Sequence, residues 1–192
     1  MTEIRIKKKT LKKIAYISLA IIILIFLSYF IKKGGNIMTN NRIAVFDTNM
    51  GKFKIELFED TMPLTTKNFI GLVEKGTYNG VIFHRIINGF MIQGGDPTGT
   101  GMGDPNIPRI KDEFTDNNRN DKGTISMANR GPDTGSSQFF INLVNNNYLD
   151  TKHPVFGKVV EGMDIVEKIG KVKTDVANKP VENVFINKII LE

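Results

Sequence analysis

Arg85 lies in the apolar run 81–87, where Phe83, Arg85 and Ile87 share one face of a strand and Ile82, His84 and Ile86 the other. A guanidinium is always protonated and offers a planar fork of N–H donors, suited to an atom that gains a lone pair or negative charge. A surface arginine is the commoner reading of such a residue taken alone. Other chemistries have less support. The absence of Cys excludes thiolate nucleophiles, disulfides and iron–sulfur ligation, and two His, His84 and His153, are too few for a transition-metal cage. Ser136 and Ser137 lack the G-x-S-x-G turn and a placed base, which argues against a hydrolase. The stretch GTGMG over 99–103 has no Gly-Lys-Ser/Thr after it and opens no helix, so it is not a phosphate loop. Its glycines let a loop bend.

The elements that must position these groups are mostly strands. Residues 52–58 alternate apolar and polar with period two, following Ile43–Phe46 across a turn at Asn49-Met50-Gly51. Pro63 opens a helix in which Phe69, Leu72 and Val73 share a face, and Gly76 stops it. Val81–Ile87 and Phe90–Gln93 read as strands joined at Asn88-Gly89, a strong hairpin signal. After a Gly/Pro loop from Gly94 to Pro108, strands are expected at Gly123–Asn129, Gln138–Val144, Pro154–Val160 and Val184–Leu191. A short helix is expected at Gly162–Ile169. About eight strands and two helices point to a closed barrel or a sandwich.

Three blocks carry a family resemblance: FHRIINGFMIQGGD over 83–96, SMANRGPDTGSSQFFI over 126–141 and YLDTKHPVFG over 148–157. Together they resemble the cyclophilin-type peptidyl-prolyl cis-trans isomerases across essentially all of residues 42–192. The resemblance implies a mainly β fold, a closed eight-stranded antiparallel barrel capped by two helices, with the active site on an outer face.

The chemistry it implies is physically modest. Rotation about a peptide bond meets a barrier of about 18–20 kcal/mol set by amide resonance, so catalysis needs neither nucleophile nor cofactor nor metal. A donor aimed at the amide nitrogen, which regains its lone pair only when twisted, stabilises the transition state alone. By the resemblance Arg85 is that donor and Gln93 holds it from the adjoining strand. Phe90, Met91, Phe140, Leu149 and His153 match the proline pocket. The backbone of Asn129 pairs with the bound peptide like an added strand, and Ala128 and Gln138 flank that groove. His84, on the face opposite Arg85, is assigned to structure.

The sequence departs from the family pattern at three positions. Tyr148 stands where cyclosporin-sensitive members carry Trp, which counts against strong cyclosporin binding but not against isomerase activity. Arg130 replaces a small residue and is expected to charge the groove rim, favouring acidic residues before proline. Asn88 replaces a common Pro and leaves the hairpin intact.

The net charge of +6 first suggests a nucleic-acid partner. Eight bases and Glu3 lie within residues 1–37, which leaves 18 bases and 19 acids beyond them. The charge is thus a feature of the N-terminus, and no nucleic acid is expected. Ile14 to Ile31 is an uncharged apolar run spanning roughly 27 Å as a helix, the thickness of a hydrocarbon core. Six bases precede it, and no small-residue cleavage site follows. The expected organisation is a basic cytoplasmic segment 1–13, a transmembrane anchor 14–31, a flexible tether 32–41 and an isomerase domain 42–192. The domain would be extracytoplasmic on a bacterial inner membrane, or cytoplasmic if translation began at Met38. It would act as a monomer on proline-containing folding polypeptides. The rival reading is a membrane-tethered proline-binding or chaperone-like module with weak or no catalysis.

Overall fold

The computed structural model describes residues 41–192. Strand β1 (Ile43–Thr48) turns at Asn49-Met50 into β2 (Gly51–Leu57), in register from Thr48↔Gly51 to Ile43↔Glu56. The period-two pattern of β2 buries Phe53, Ile55 and Leu57 and turns Lys52, Lys54 and Glu56 outward. Helix α1 (Pro63–Glu74) starts on the proline and buries Phe69, Ile70 and Leu72. Its Ncap residue, Met62, has no side-chain acceptor. Glu113, from a distant loop, takes the N–H groups of Leu64 and Thr65 at 3.2 and 2.9 Å instead.

The remaining elements are β3 (Arg85–Ile87), β4 (Met91–Gly94), β5 (Thr124–Met127), β6 (Phe139–Asn142), β7 (Val155–Glu161), helix α2 (Met163–Ile169) and β8 (Ile186–Leu191). The strands form one antiparallel sheet in the order β3-β4-β6-β5-β7-β2-β1-β8. One row of directly paired residues, Ile86, Ile92, Ile141 and Ile125, is buried and faces the core. The neighbouring row, Arg85, Gln93, Phe140 and Ser126, shares the opposite face and supplies the site. Val166 and Ile169 of α2 complete the core, whose centre is aromatic. Phe139 meets Phe46, Phe69, Tyr78 and Phe83 edge-on at centroid distances of 5.8, 5.9, 5.6 and 6.4 Å.

The expected closed eight-stranded barrel is corrected to an open, half-barrel sheet whose edges are β3 and β8. The two edges approach just ahead of β3, through an isolated bridge Ile82↔Phe185 and bonds from Phe83 N to Val184 O and from Ile186 N to Val81 O. They then part because the Ile86 N–H donates to Asn178 O at 2.8 Å. The turn around 174–180 therefore occupies the edge of β3 that closure would need, and residues 81–84, expected within the strand Val81–Ile87, lie outside β3.

The expected transmembrane helix 14–31, the segment 1–13 and all but the last residue of the tether 32–41 lie outside the described residues. No helix among the described residues is long and apolar enough to cross a membrane.

Candidate active site

The β3–β4 hairpin places Arg85 directly opposite Gln93. Its connection is Asn88-Gly89-Phe90, closed by Phe90 N donating to Ile87 O at 3.0 Å. Within this loop the positive φ, +70°, belongs to Gly89 alone, so the turn is a three-residue loop and not the two-residue type that needs two such residues. Arg85 is half-buried and its Nη1 donates to Gln93 Oε1 at 3.3 Å. Gln93 Nε2 donates to Gln138 Oε1 at 3.1 Å, and Gln138 Nε2 donates to the Gly101 carbonyl at 3.1 Å. Gln138 thus spends its amide within the protein.

A groove of about 560 Å³ runs beside this chain of amides, lined by Gln93, Gln138, Ala128, Asn129 and Arg130 and, across from them, Met102, Ile107, Thr134 and Ser136. Gln93 belongs both to the groove and to the Arg85 pair. The Asn129 backbone has no backbone partner among the described residues, while its side chain donates to Lys152 O at 2.7 Å. Arg130 is exposed, and its guanidinium folds over the glycine loop. Nη1 donates to Met102 O at 2.8 Å and Nη2 to Gly101 O at 2.6 Å.

The apolar candidates fall into two pairs. Phe140 meets the His153 ring edge-on at 5.3 Å, and Phe90 stacks on Tyr148 at 6.3 Å. Met91 and Phe140 are buried, Leu149 is half-buried and Tyr148 is exposed. Met91, Phe90, Phe140, Leu149, Tyr148 and His153 do not line the groove itself. Leu149 ends a 3-10 turn, Asn147–Leu149, and its carbonyl accepts the His153 N–H at 3.0 Å.

A buried amide network behind these walls escaped the sequence reading. Asn120 Oδ1 accepts Ser126 Oγ at 2.7 Å and Asn142 Nδ2 at 3.3 Å, and its Nδ2 donates to Asp150 Oδ1 and His153 O. Asn146 donates to Phe90 O and Asn142 Oδ1, and Asn118 donates to the Asp150 and His153 carbonyls. The network ties Phe90 to the loop carrying Leu149 and His153. Its one trace in the sequence is the density of Asn at 117–120 and 142–147. Asn120→Ala removes the acceptor of the buried Ser126 hydroxyl and one acceptor of the Asn142 amide, and it unties the side-chain bonds to Asp150 and the His153 carbonyl. A loss of about 3 kcal/mol in urea-unfolding stability is expected.

Burial pushes both histidines below their ordinary value. For His84, whose buried Nδ1 has no partner among the described residues, Asp96 opposes the shift, while Arg85 and Lys179 add to it. For His153, the Met127 carbonyl 3.1 Å from Nδ1 opposes it. Burial would raise the Asp96 carboxyl, but the Gly103 N–H, the Thr98 hydroxyl and further backbone donors outweigh it and hold the group below the usual range. Because the folded-state values of both histidines lie below the unfolded value of 6.5, the unfolded chain takes up protons first on acidification. Stability is therefore expected to be level between about pH 7 and 9 and to fall as pH drops through 6.5, with a further fall below the ordinary aspartate range as Asp96 protonates. Urea midpoints at pH 7.5, 6 and 5 check the first step, and a flat profile there overturns it.

The family of cyclophilin type peptidyl-prolyl cis-trans isomerases matches residues 43–190. A peptidyl-prolyl cis-trans isomerase-like 1 of Aspergillus oryzae is 48% identical over 146 residues, covering 74% of this chain and 91% of its own. The Mus musculus protein of that name is 46% identical over 145 residues, covering 74% and 87%. A crystal structure of a Cryptosporidium parvum cyclophilin type isomerase superposes with a TM-score of 0.76 at 35% identity, covering 79% of this chain and 98% of that one. A second crystal structure of that protein, in the presence of the dipeptide Ala-Pro, gives a TM-score of 0.75 at 35% identity, covering 78% and 98%.

Proposed function

The chain belongs to the cyclophilin-type peptidyl-prolyl cis-trans isomerase family, and from that premise we propose that it twists X–Pro bonds with Arg85 as the donor to the amide nitrogen. The chain is a peptidyl-prolyl cis-trans isomerase. The observation that carries it is the cross-strand pair Arg85–Gln93, which fixes a permanent cation beside the groove.

The peptide lies along the groove, pairing with the Asn129 backbone as an added strand between Ala128 and Arg130. Phe90, Met91, Phe140, Leu149 and His153 receive the proline ring, with Tyr148 at the rim. In the planar amide the nitrogen lone pair is delocalised into the carbonyl, so an N–H aimed at it gains little. As the bond twists the lone pair localises and accepts a hydrogen bond from Arg85, which lowers the barrier without lowering the ground state. No covalent intermediate forms, and the proline leaves in either isomer.

The test is the rate of cis–trans relaxation of an X–Pro peptide with the intact protein. Acceleration over the uncatalysed tens to hundreds of seconds supports the reading. Tight binding of the peptide with no acceleration replaces it with the binding-module reading.

A further inference from the structure

Arg130 is more than a charge on the groove rim. We infer that it is a positioning residue for Arg85, acting through the Gly101 carbonyl and the two side-chain amides of Gln138 and Gln93. The inference rests on the proposed role of Arg85.

The argument lies in the direction of the hydrogen bonds. A glutamine amide can sit either way round, presenting oxygen or NH2 to a given neighbour, and only its partners decide which. The Gly101 carbonyl can only accept. It therefore draws the Gln138 NH2 group, at 3.1 Å, and turns Gln138 Oε1 toward Gln93. That oxygen draws the Gln93 NH2 group, at 3.1 Å, and leaves Gln93 Oε1 facing Arg85, whose Nη1 donates to it at 3.3 Å. With Gln138 reversed, like groups would face each other at both of its ends, and with Gln93 reversed the Arg85 fork would lose its acceptor. The chain of amides is thus pinned at both ends, by the donor-only guanidinium of Arg85 and by the Gly101 carbonyl, so a shift of that carbonyl is passed along the chain to Arg85.

That oxygen sits in a pliant segment. Gly99, Gly101 and Gly103 all hold positive φ, between 67° and 81°. The Asp96 carboxylate anchors the loop on both sides of Gly101, through Thr98 and the Gly103 N–H. Arg130 grips the middle from the other side of the groove. Nη2 donates to Gly101 O at 2.6 Å, on the oxygen that Gln138 also uses, and Nη1 donates to Met102 O at 2.8 Å. The two lone pairs of the Gly101 carbonyl are both filled, and the planar fork holds two successive carbonyls in one geometry. An alanine or a single ammonium cannot do this.

With a test peptide carrying an uncharged residue before proline, Arg130→Ala is expected to lower kcat by about five- to tenfold with KM nearly unchanged, because that peptide loses alignment and not a charge pair. Arg130→Lys, which reaches one carbonyl at a time, recovers part of the loss. In a Gln93→Leu background, Arg130→Ala costs no more than twofold, since the relay is already cut. Side-chain NMR supplies a readout independent of turnover. The Gln138 and Gln93 NH2 resonances and the Arg85 Nε–H resonance all shift in Arg130→Ala. An unmoved Arg85 resonance, a loss confined to KM, or full additivity with Gln93→Leu overturns the relay. Full activity in Arg85→Ala instead removes the catalytic role of Arg85, while the propagated shifts still report on the relay.

Discussion

Arg85→Ala is expected to lower kcat/KM for an X–Pro peptide by about 10²–10³-fold, the usual cost of removing one donor aimed at a transition state. Arg85 spends a single N–H on Gln93, which leaves the rest of its fork for substrate. Because the nitrogen accepts a bond only when twisted, the loss falls chiefly on kcat. Arg85→Lys keeps the charge but not the planar fork, and is expected to retain only a small part of the activity. The residue is half-buried at the sheet edge, so unfolding midpoints of both variants should stay close to that of the parent. Activity of Arg85→Ala within twofold of the parent would remove this residue from the mechanism.

The fold was legible where one residue decides locally. Pro63 starts α1, the alternation at Lys52–Phe58 makes β2, and the hairpin at Asn88-Gly89 sets Arg85 against Gln93. The openness of the sheet was not legible. It turns on one N–H, that of Ile86, being taken by Asn178 from nearly a hundred residues away, and no local periodicity encodes that choice. The same holds for the Glu113 carboxylate that caps α1 and for the Asn120 network. Side-chain amides leave no period in a sequence, and their partners are found only once the chain has folded. Arg130 was visible as a departure from its family. Its length and fork matter through Gly101 and Met102, two carbonyls whose positions no sequence pattern gives.

Phe139→Ala is expected to be the most damaging single truncation, at about 4 kcal/mol of unfolding free energy. Phe139 is fully buried and meets four aromatic rings edge-on, from β1, α1, the segment after α1 and the residues ahead of β3. An open sheet makes this ring more important than a closed one would. Between β3 and β8 the chain is joined by one isolated bridge and a few backbone bonds, so side chains must hold the two ends of the sheet around a common core. Phe83 approaches from one end, Phe46 from β1 beside the other, and Phe139 lies between them. Deleting it leaves a cavity that neighbours of fixed geometry cannot fill, and the adjacent residue, Phe140, loses its registration against His153. Urea unfolding measures the first effect, and the second appears as a loss of activity under conditions where the variant remains folded. Phe139→Leu keeps most of the volume and should recover about half of the stability. A Phe139→Ala cost below about 2 kcal/mol would mean that the sheet edges are held by backbone bonds alone.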